Sequence, residues 1–561
     1  LDVDGTTNLD VVDIDGAVDM ASTLTLAGNA DFNGDLDVDG TTNLDVVDVD
    51  GAVNFAADVT FADGADIITA SAGTSNFRAG VNAGNSIASG GNYNVVVGDE
   101  AGTAISTGDD NVAVGYAAFD ANTTGSDNTA IGNNALGANT TAANNTAVGS
   151  SALLVNTTGD LNTAVGKDAL KANTTGASNT AVGSTALEAN TTGTRNTAVG
   201  AAGLVQVTGD DNVALGYRAG YGSGDADQNV ALGSYSLYDN SSGSNNVAVG
   251  YQALEENTTA SNNVAVGSLA LTANTDGTDN VAVGANAADA NTTGDDNTAI
   301  GDNALGANTT ASSNTAVGAS ALLVATADNN VAVGAAALDA NTTGAGNTGI
   351  GTNALSANTT AANNVGIGKD ALYTNTTGAD NTAIGTGALL ANTTAANNVA
   401  VGRQALTANT TGTDNVAVGS NAADANTTGS DNTAIGDNAL GANTIANGNT
   451  AVGSAALVLN TTGASNTAVG YLASDAITTG SSNTAVGKSA LSATTTADNN
   501  TAIGLSALAA NTTGTNNVAI GKDALDSNTT ADNNTAVGVD ALQANTTGGS
   551  NTAVGTNALL L

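Results

Sequence analysis

The sequence predicts an all-β protein, an elongated parallel β-solenoid that follows a small acidic β-repeat module. The prediction depends on a Gly that recurs at nearly every seventeenth position from Gly98 to Gly555, a Val-Ala-Val or Thr-Ala-Val triplet before it, and an Asn-Thr-Thr turn after it. Seventeen residues are too few for two helices but suit one solenoid coil, which is stable only when stacked on its neighbours. We therefore divide the chain into an acidic module at 1–66, a junction at 67–93 and a solenoid at 94–561.

Each coil is predicted to contain two short strands joined by two turns. Because side chains alternate between the two faces of a strand, Val112 and Val114 are expected to point into the coil and Ala113 to point outward. A second strand at 169–172 would add Leu170 to the core. The outward Ala face would be smooth enough for another chain to pack closely against it.

The recurring Gly is expected to adopt a positive φ or to approach another backbone closely. Two intervals, Gly200 to Gly216 and Gly318 to Gly334, are one residue shorter than the others, and both lack Asn-Thr-Thr. Loops tolerate such deletions, which places this triplet on a turn. Asn and Thr side chains at matching turns are expected to form hydrogen-bonded ladders along the axis. With rungs ~4.8 Å apart, the 28 coils that carry this Gly would extend about 130 Å.

The acidic module repeats with a longer period than the solenoid. The segment at 1–18 returns almost unchanged at 36–53, about twice the solenoid period further along the chain. Aliphatic residues alternate with Asp, a pattern typical of strands with an acidic outer face. Sixteen of the 52 acidic residues lie at 1–66, and no Lys or Arg precedes Arg78.

One segment of the acidic module carries a candidate metal site. Asp35, Asp37 and Asp39 match the opening of a calcium loop of the EF-hand type. The Glu that closes such a loop is absent, because Val46 stands at the twelfth position. Two hypotheses follow, a Ca²⁺ site at these aspartates and an acidic turn that is solvated without a metal. No other cofactor is expected.

Charge and composition exclude several classes of function. A formal net charge of −43 repels phosphate backbones, so we expect no nucleic acid partner. The chain has no Cys and no His, which removes thiol chemistry and the common Ser–His and Cys–His catalytic arrangements. No apolar run reaches the length of a membrane span. We therefore expect neither an enzyme nor membrane insertion.

Four tyrosines are candidate contact residues. Tyr116, Tyr217, Tyr251 and Tyr471 each lie one residue after a recurring Gly and are expected to be exposed. Tyr rings stack on sugars and on partner surfaces. The alternative is that these side chains are ordinary surface residues.

The Asn-Thr-Thr triplets also match the acceptor pattern for N-glycosylation, as at Asn122. The structural interpretation of the same triplet is a stacked turn. We favour the stacked turn for a bacterial or viral protein, while a secreted archaeal or eukaryotic fibre would favour glycans.

The repeat resembles those of known fibrous proteins. Asn-Val-Ala-Val-Gly at Asn111–Gly115, Asn263–Gly267 and Asn280–Gly284 resembles the head repeat of trimeric autotransporter adhesins. That resemblance implies a left-handed parallel β-roll with three chains around one axis. The longer repeat with Ala-Leu and Asn-Thr-Thr-Gly is similar to repeats of phage and marine-virus tail fibre proteins, and the acidic repeat is similar to their shaft segments.

These observations predict an extracellular homotrimeric shaft that projects a receptor-binding tip, with a phage tail fibre as the leading interpretation. The alternatives are a trimeric adhesin on a bacterial cell surface and a self-assembling extracellular filament. Host or surface glycans are candidate partners. The chain begins at Leu1 without Met and ends at Leu561 within a repeat, so we expect it to be a piece of a longer protein.

Overall fold

The structure, a computed structural model, describes residues 72–560. A single parallel β-sheet runs through these residues. The sheet has 29 strands of three residues each, with one strand in each coil. Every strand pairs with the next strand along the chain, as the strand Thr146–Val148 does with the strand Thr163–Val165. The described residues contain no helix. The predicted all-β parallel solenoid, with coils of about seventeen residues, is confirmed.

The strands, in chain order, are β1 (Phe77–Ala79), β2 (Val95–Val97), β3 (Val112–Val114), β4 (Thr129–Ile131), β5 (Thr146–Val148), β6 (Thr163–Val165), β7 (Thr180–Val182), β8 (Thr197–Val199), β9 (Val213–Leu215), β10 (Val230–Leu232), β11 (Val247–Val249), β12 (Val264–Val266), β13 (Val281–Val283), β14 (Thr298–Ile300), β15 (Thr315–Val317), β16 (Val331–Val333), β17 (Thr348–Ile350), β18 (Val365–Ile367), β19 (Thr382–Ile384), β20 (Val399–Val401), β21 (Val416–Val418), β22 (Thr433–Ile435), β23 (Thr450–Val452), β24 (Thr467–Val469), β25 (Thr484–Val486), β26 (Thr501–Ile503), β27 (Val518–Ile520), β28 (Thr535–Val537) and β29 (Thr552–Val554). The first of them, β1, lies within the segment that we described as a junction and pairs with β2.

The strands face the opposite way from the prediction. Ala113 is fully buried, whereas Val112 and Val114 on either side of it are only half-buried. The cause is the narrow interior of the coil. At Gly366, where the middle residue of a strand has no side chain, a Cβ would already lie 3.1 Å from Cγ of Leu355. Beside a buried Leu such as Leu355, the interior therefore has room for Ala but not for Val at this position. The assignment of Val112 and Val114 to the core was wrong. The one fully buried Val at a middle position, Val96 of β2, lies beside Gly102 instead of a Leu.

The predicted second strand is also wrong, because residues 169–172 form a turn. Asp168 and Leu170 adopt φ values of 57° and 50°. This left-handed conformation interrupts the alternation of side chains that an extended segment would have. Ala169 and Leu170 are consequently both fully buried although they are adjacent in sequence. The prediction that Leu170 lies in the core is confirmed.

Buried asparagines fill the rest of the interior and form two ladders. In the first ladder, Asn111 donates from its backbone N and from Nδ2 to Oδ1 of Asn94, each at 3.0 Å. In the second ladder, at the Asn-Thr-Thr turn, Nδ2 of Asn173 donates to Oδ1 of Asn156 at 2.8 Å and to the carbonyl O of Gly176 at 2.9 Å. A buried amide is tolerated when its hydrogen bonds are made. These bonds, which link consecutive coils, confirm the predicted Asn ladders.

The turns carry the remaining periodic contacts. Oγ1 of Thr174 donates to the carbonyl O of Thr191 in the next coil at 3.0 Å, which extends the predicted ladder to Thr. The two shortened coils keep the strand register, since Thr197 pairs with Val213 and Thr315 with Val331. The missing residue is thus absorbed in a turn, as predicted.

The Gly that ends each strand is required by the backbone. Gly301 has a φ of 133°, a region that residues with a side chain rarely adopt. A Cβ at this position would lie 2.5 Å from the carbonyl O of Gly318 in the next coil. Both reasons given for the recurring Gly, the positive φ and the close approach, therefore apply. We call it the coil glycine and count positions from the residue that follows it.

Candidate functional site

The four candidate tyrosines all occupy position 1 of their coils and all project from the surface. Tyr116, Tyr217, Tyr251 and Tyr471 have exposed fractions of 55%, 44%, 51% and 53%. Tyr116 and Tyr471 have no ring neighbour among the described aromatic residues, whereas Tyr217 and Tyr251 do. A role of these residues in binding stays a prediction.

Five of the nine tyrosines gather on three consecutive coils. Tyr217 and Tyr251 each meet Tyr235 edge to face, with ring centroids 5.5 and 6.5 Å apart. Tyr221 and Tyr238 are stacked with centroids 5.2 Å apart and planes inclined by 17°. The two groups are joined by Tyr235 and Tyr238 at 5.6 Å. We call these five residues the tyrosine cluster.

A single cation lies within the tyrosine cluster. The guanidinium carbon of Arg218 is 5.3 Å from the ring centroid of Tyr217 and 5.6 Å from that of Tyr221, within the range of cation–π attraction. Nε of Arg218 is buried and has no hydrogen-bond partner among the described residues. No other Lys or Arg occurs between Arg195 and Lys369, so this surface has one positive charge on a strongly acidic chain.

Three members of the tyrosine cluster were missed from the sequence, namely Tyr221, Tyr235 and Tyr238. The signal that could have found two of them is the coil register. Tyr221 and Tyr238 both occupy position 5 and are separated by one full repeat, so they must lie on adjacent rungs of the stack. Rungs ~4.8 Å apart bring such rings within stacking distance.

A second surface runs along the sheet. We call the first and third residues of β2 to β29 the outer strand face. The first residue is always Thr or Val and the third is always Val, Ile or Leu, so no charged residue occurs on this face. Many third residues are exposed, for example Ile131 at 39% and Val165 at 37%. The face is therefore a continuous, uncharged ladder of mainly β-branched side chains.

Position 5 holds a series of half-buried aspartates. Removal of the carboxylate from water raises the pKa of each of them above the ordinary value of 3.8, because burial disfavours the charged form. Hydrogen bonds from the backbone oppose this rise in most of them. The aspartates concerned are Asp120, Asp289, Asp424, Asp475 and Asp526.

The raised pKa values of these aspartates predict that the solenoid is more stable in mild acid than at pH 7. A carboxyl whose folded pKa exceeds its unfolded pKa contributes stability that is fully present below the unfolded value and is lost as pH rises through the folded value. The unfolding temperature is therefore expected to rise as pH falls from 7 towards about 4. Thermal unfolding followed by circular dichroism measures this dependence. A control in which all five aspartates are replaced by Asn should show a flatter pH profile, and an unchanged profile would contradict the assignment.

The candidate calcium residues Asp35, Asp37 and Asp39 lie outside the residues that the structure describes. Within 72–560, no group of three Asp, Glu, His or Cys side chains is arranged to hold a metal ion. The calcium hypothesis for the acidic module stays a prediction.

The asparagines of the Asn-Thr-Thr triplets, apart from the half-buried Asn545, are inaccessible in the folded solenoid. Asn122 and its equivalent Asn139 are fully buried. Nδ2 of Asn139, the atom that would carry a glycan, donates to Oδ1 of Asn122 at 3.1 Å and to the carbonyl O of Ala142 at 3.1 Å. These contacts support the stacked turn over glycosylation for the buried asparagines of the ladder.

The described chain is a parallel β-solenoid of uniform coils with two distinctive surfaces, the tyrosine cluster and the outer strand face. Among residues 72–560, no helix has the length and apolar character needed to span a membrane. Comparison with protein-family models and with curated proteins found no match. The arrangement provides ring faces, aliphatic side chains and carboxylates, groups suited to binding and assembly.

Proposed function

We propose that this chain is the shaft of an extracellular fibre that holds a receptor-binding tip away from its base, and that it acts mechanically without catalysing a reaction. The observation that carries the proposal is the unbroken strand ladder, in which 29 strands pair in sequence order. At ~4.8 Å per rung, this ladder extends about 130 Å. A rod of that length, built from one repeated coil, suits a spacer.

The ladders also provide stiffness. Each coil is bonded to the next through the strand, and most coils are also bonded through Asn173 or Thr174 or their equivalents. Bending the rod would lengthen bonds on one side of every rung. In a solenoid each coil depends mainly on its neighbours, so uniform coils give uniform resistance along the axis.

The outer strand face supports assembly of three chains around one axis. It offers two uncharged side chains on every strand from β2 to β29. A standard interface uses about 20–30 residues a side, so even half of this face would be sufficient. In the proposed trimer the Val, Ile and Leu ladders lie against one another, in place of the Ala residues that we first expected at the interface. Closed three-fold symmetry then limits assembly to three chains.

A phage tail fibre on the virion remains the leading version of the proposal. The two alternatives use the same rod differently: a trimeric adhesin on a bacterial surface binds through its coils, and an extracellular filament grows by contact between ends. Immunogold electron microscopy of the producing cells and of released particles distinguishes them. Label on projections from virions is the expected result, and label confined to cell surfaces or to free filaments would contradict the tail fibre.

A further inference from the structure

We propose that the tyrosine cluster is a binding site for an uncharged saccharide chain. The proposal goes beyond the shaft function and does not depend on it, because the cluster lies on three coils of a single chain. A shaft that carries such a site has a ligand of its own in addition to any ligand of a tip.

The fold does not require the rings of the tyrosine cluster. The strands beside it keep the common register, with Val230 paired to Val213 and to Val247. The buried leucines beneath it, Leu237 and Leu254, are as fully buried as those of coils without aromatic residues. Position 1 of most other coils is occupied by a small or polar residue, such as Ser184, Ala201 and Ser268. In the coils of Leu237 and Leu254 the rings are thus an addition to a coil that forms without them.

The polar groups of the tyrosine cluster are available to a ligand. None of the hydrogen bonds between described residues involves one of the five phenol hydroxyls, and the side chains of Tyr217 and Tyr251 are exposed. A sugar ring presents C–H groups on its faces and hydroxyls on its edges. The C–H groups pack on tyrosine faces, while the hydroxyls bond to phenol, guanidinium and carboxylate groups around them.

The charge around the cluster favours an uncharged saccharide over a sulfated or otherwise acidic one. Glu255 occupies position 5 on the coil after Tyr238, where its Oε2 accepts a bond from Nε2 of Gln252 at 2.6 Å. Asp239 and Glu256 on the same coils are exposed. Arg218 is therefore outnumbered by carboxylates, which would repel an acidic polymer but can accept hydrogen bonds from sugar hydroxyls.

The test uses the full chain and a matched pair of double variants. Tyr217→Ala with Tyr251→Ala removes two exposed rings of the cluster, and Tyr116→Ala with Tyr471→Ala removes two isolated rings from the same coil position. Ala occurs naturally at this position, for example at Ala201, so both variants are expected to fold. Thermal unfolding and sedimentation of each variant check stability and mass.

The probes are uncharged hexose, pentose and N-acetylhexosamine oligosaccharides, with heparin as an acidic comparator, measured by titration calorimetry. We expect the unmodified chain and the isolated-ring variant to bind at least one uncharged oligosaccharide with equal affinity. The cluster variant is expected to bind the same oligosaccharide with an affinity lower by about tenfold or more. Absence of binding by the unmodified chain, equal binding by both variants, or a preference for heparin would overturn the proposal. If only the cluster variant sedimented with a lower mass than the unmodified chain, the rings would belong to a contact with a second copy of the chain. That result would also overturn the proposal.

Discussion

Gly301→Ala is expected to destabilise the coils around it by about 3 kcal/mol or more, since two penalties act together. The Ala side chain would have to adopt the φ of 133° that Gly301 has in the coil. Its Cβ would also lie 2.5 Å from the carbonyl O of Gly318, so the next coil would have to move. Strand pairing fixes the spacing between coils, which leaves little room for that movement.

The control is a second glycine in the same coil. Gly306→Ala places a Cβ 3.4 Å from its nearest neighbours, and Gly306 has no positive φ. This variant is expected to change the free energy of unfolding by less than about 1 kcal/mol. Hydrogen exchange measured by mass spectrometry locates the effect, and Gly301→Ala should lose protection in the coils on either side. Equal protection in the two variants would show that the coil glycine is not required.

Charges placed on the outer strand face are expected to separate the chains without unfolding the coils. Val182 and Val199 are the third residues of adjacent strands and are 37% and 36% exposed. Replacing both by Asp leaves them accessible to water in a single chain, but would bury six carboxylates in the proposed trimer. The sedimentation mass is expected to fall towards that of one chain. The matched control, Ser184→Asp with Ala201→Asp, adds the same charges at position 1 of the same coils and should keep the mass of three chains.

The middle residue of β7, Ala181, tests the buried face of the strand that also carries Val182. Ala181 is fully buried, so Ala181→Asp would bury a charge without a partner and is expected to cost about 3–5 kcal/mol. Chemical denaturation of this variant should show a clear loss of stability, whereas the Val182 and Val199 variant should unfold nearly as the unmodified single chain does. If the valine variant were the less stable as a single chain, the assignment of faces would be reversed. If it kept the mass of three chains, the outer strand face would not be the interface.

The features that depend on periodicity could be predicted from the sequence. The spacing of the coil glycines determined the coil length, and the two shortened intervals located the turn. The Asn and Thr ladders followed because identical residues on stacked turns must lie side by side. These conclusions use only the repeat and do not require the shape of one coil.

The features that depend on the shape of one coil could not be predicted. Hydrophobicity alone assigned Val112 and Val114 to the core, but only the small Ala113 between them is fully buried. A positive φ at Leu170 was equally hidden, because Leu rarely adopts that conformation and nothing in its identity signals it. The tyrosine cluster is visible only in the coil register, since Tyr221 and Tyr238 are 17 residues apart in sequence but stack on adjacent rungs.

The most direct test of the account is cryo-electron microscopy of the full chain in solution. We expect straight rods with an axial repeat of ~4.8 Å, in which the described coils extend about 130 Å. The cross-section should contain three chains, with the outer strand faces turned towards the common axis. Rods with one chain in cross-section, or flexible particles without the axial repeat, would contradict the proposal that this protein is a rigid trimeric shaft.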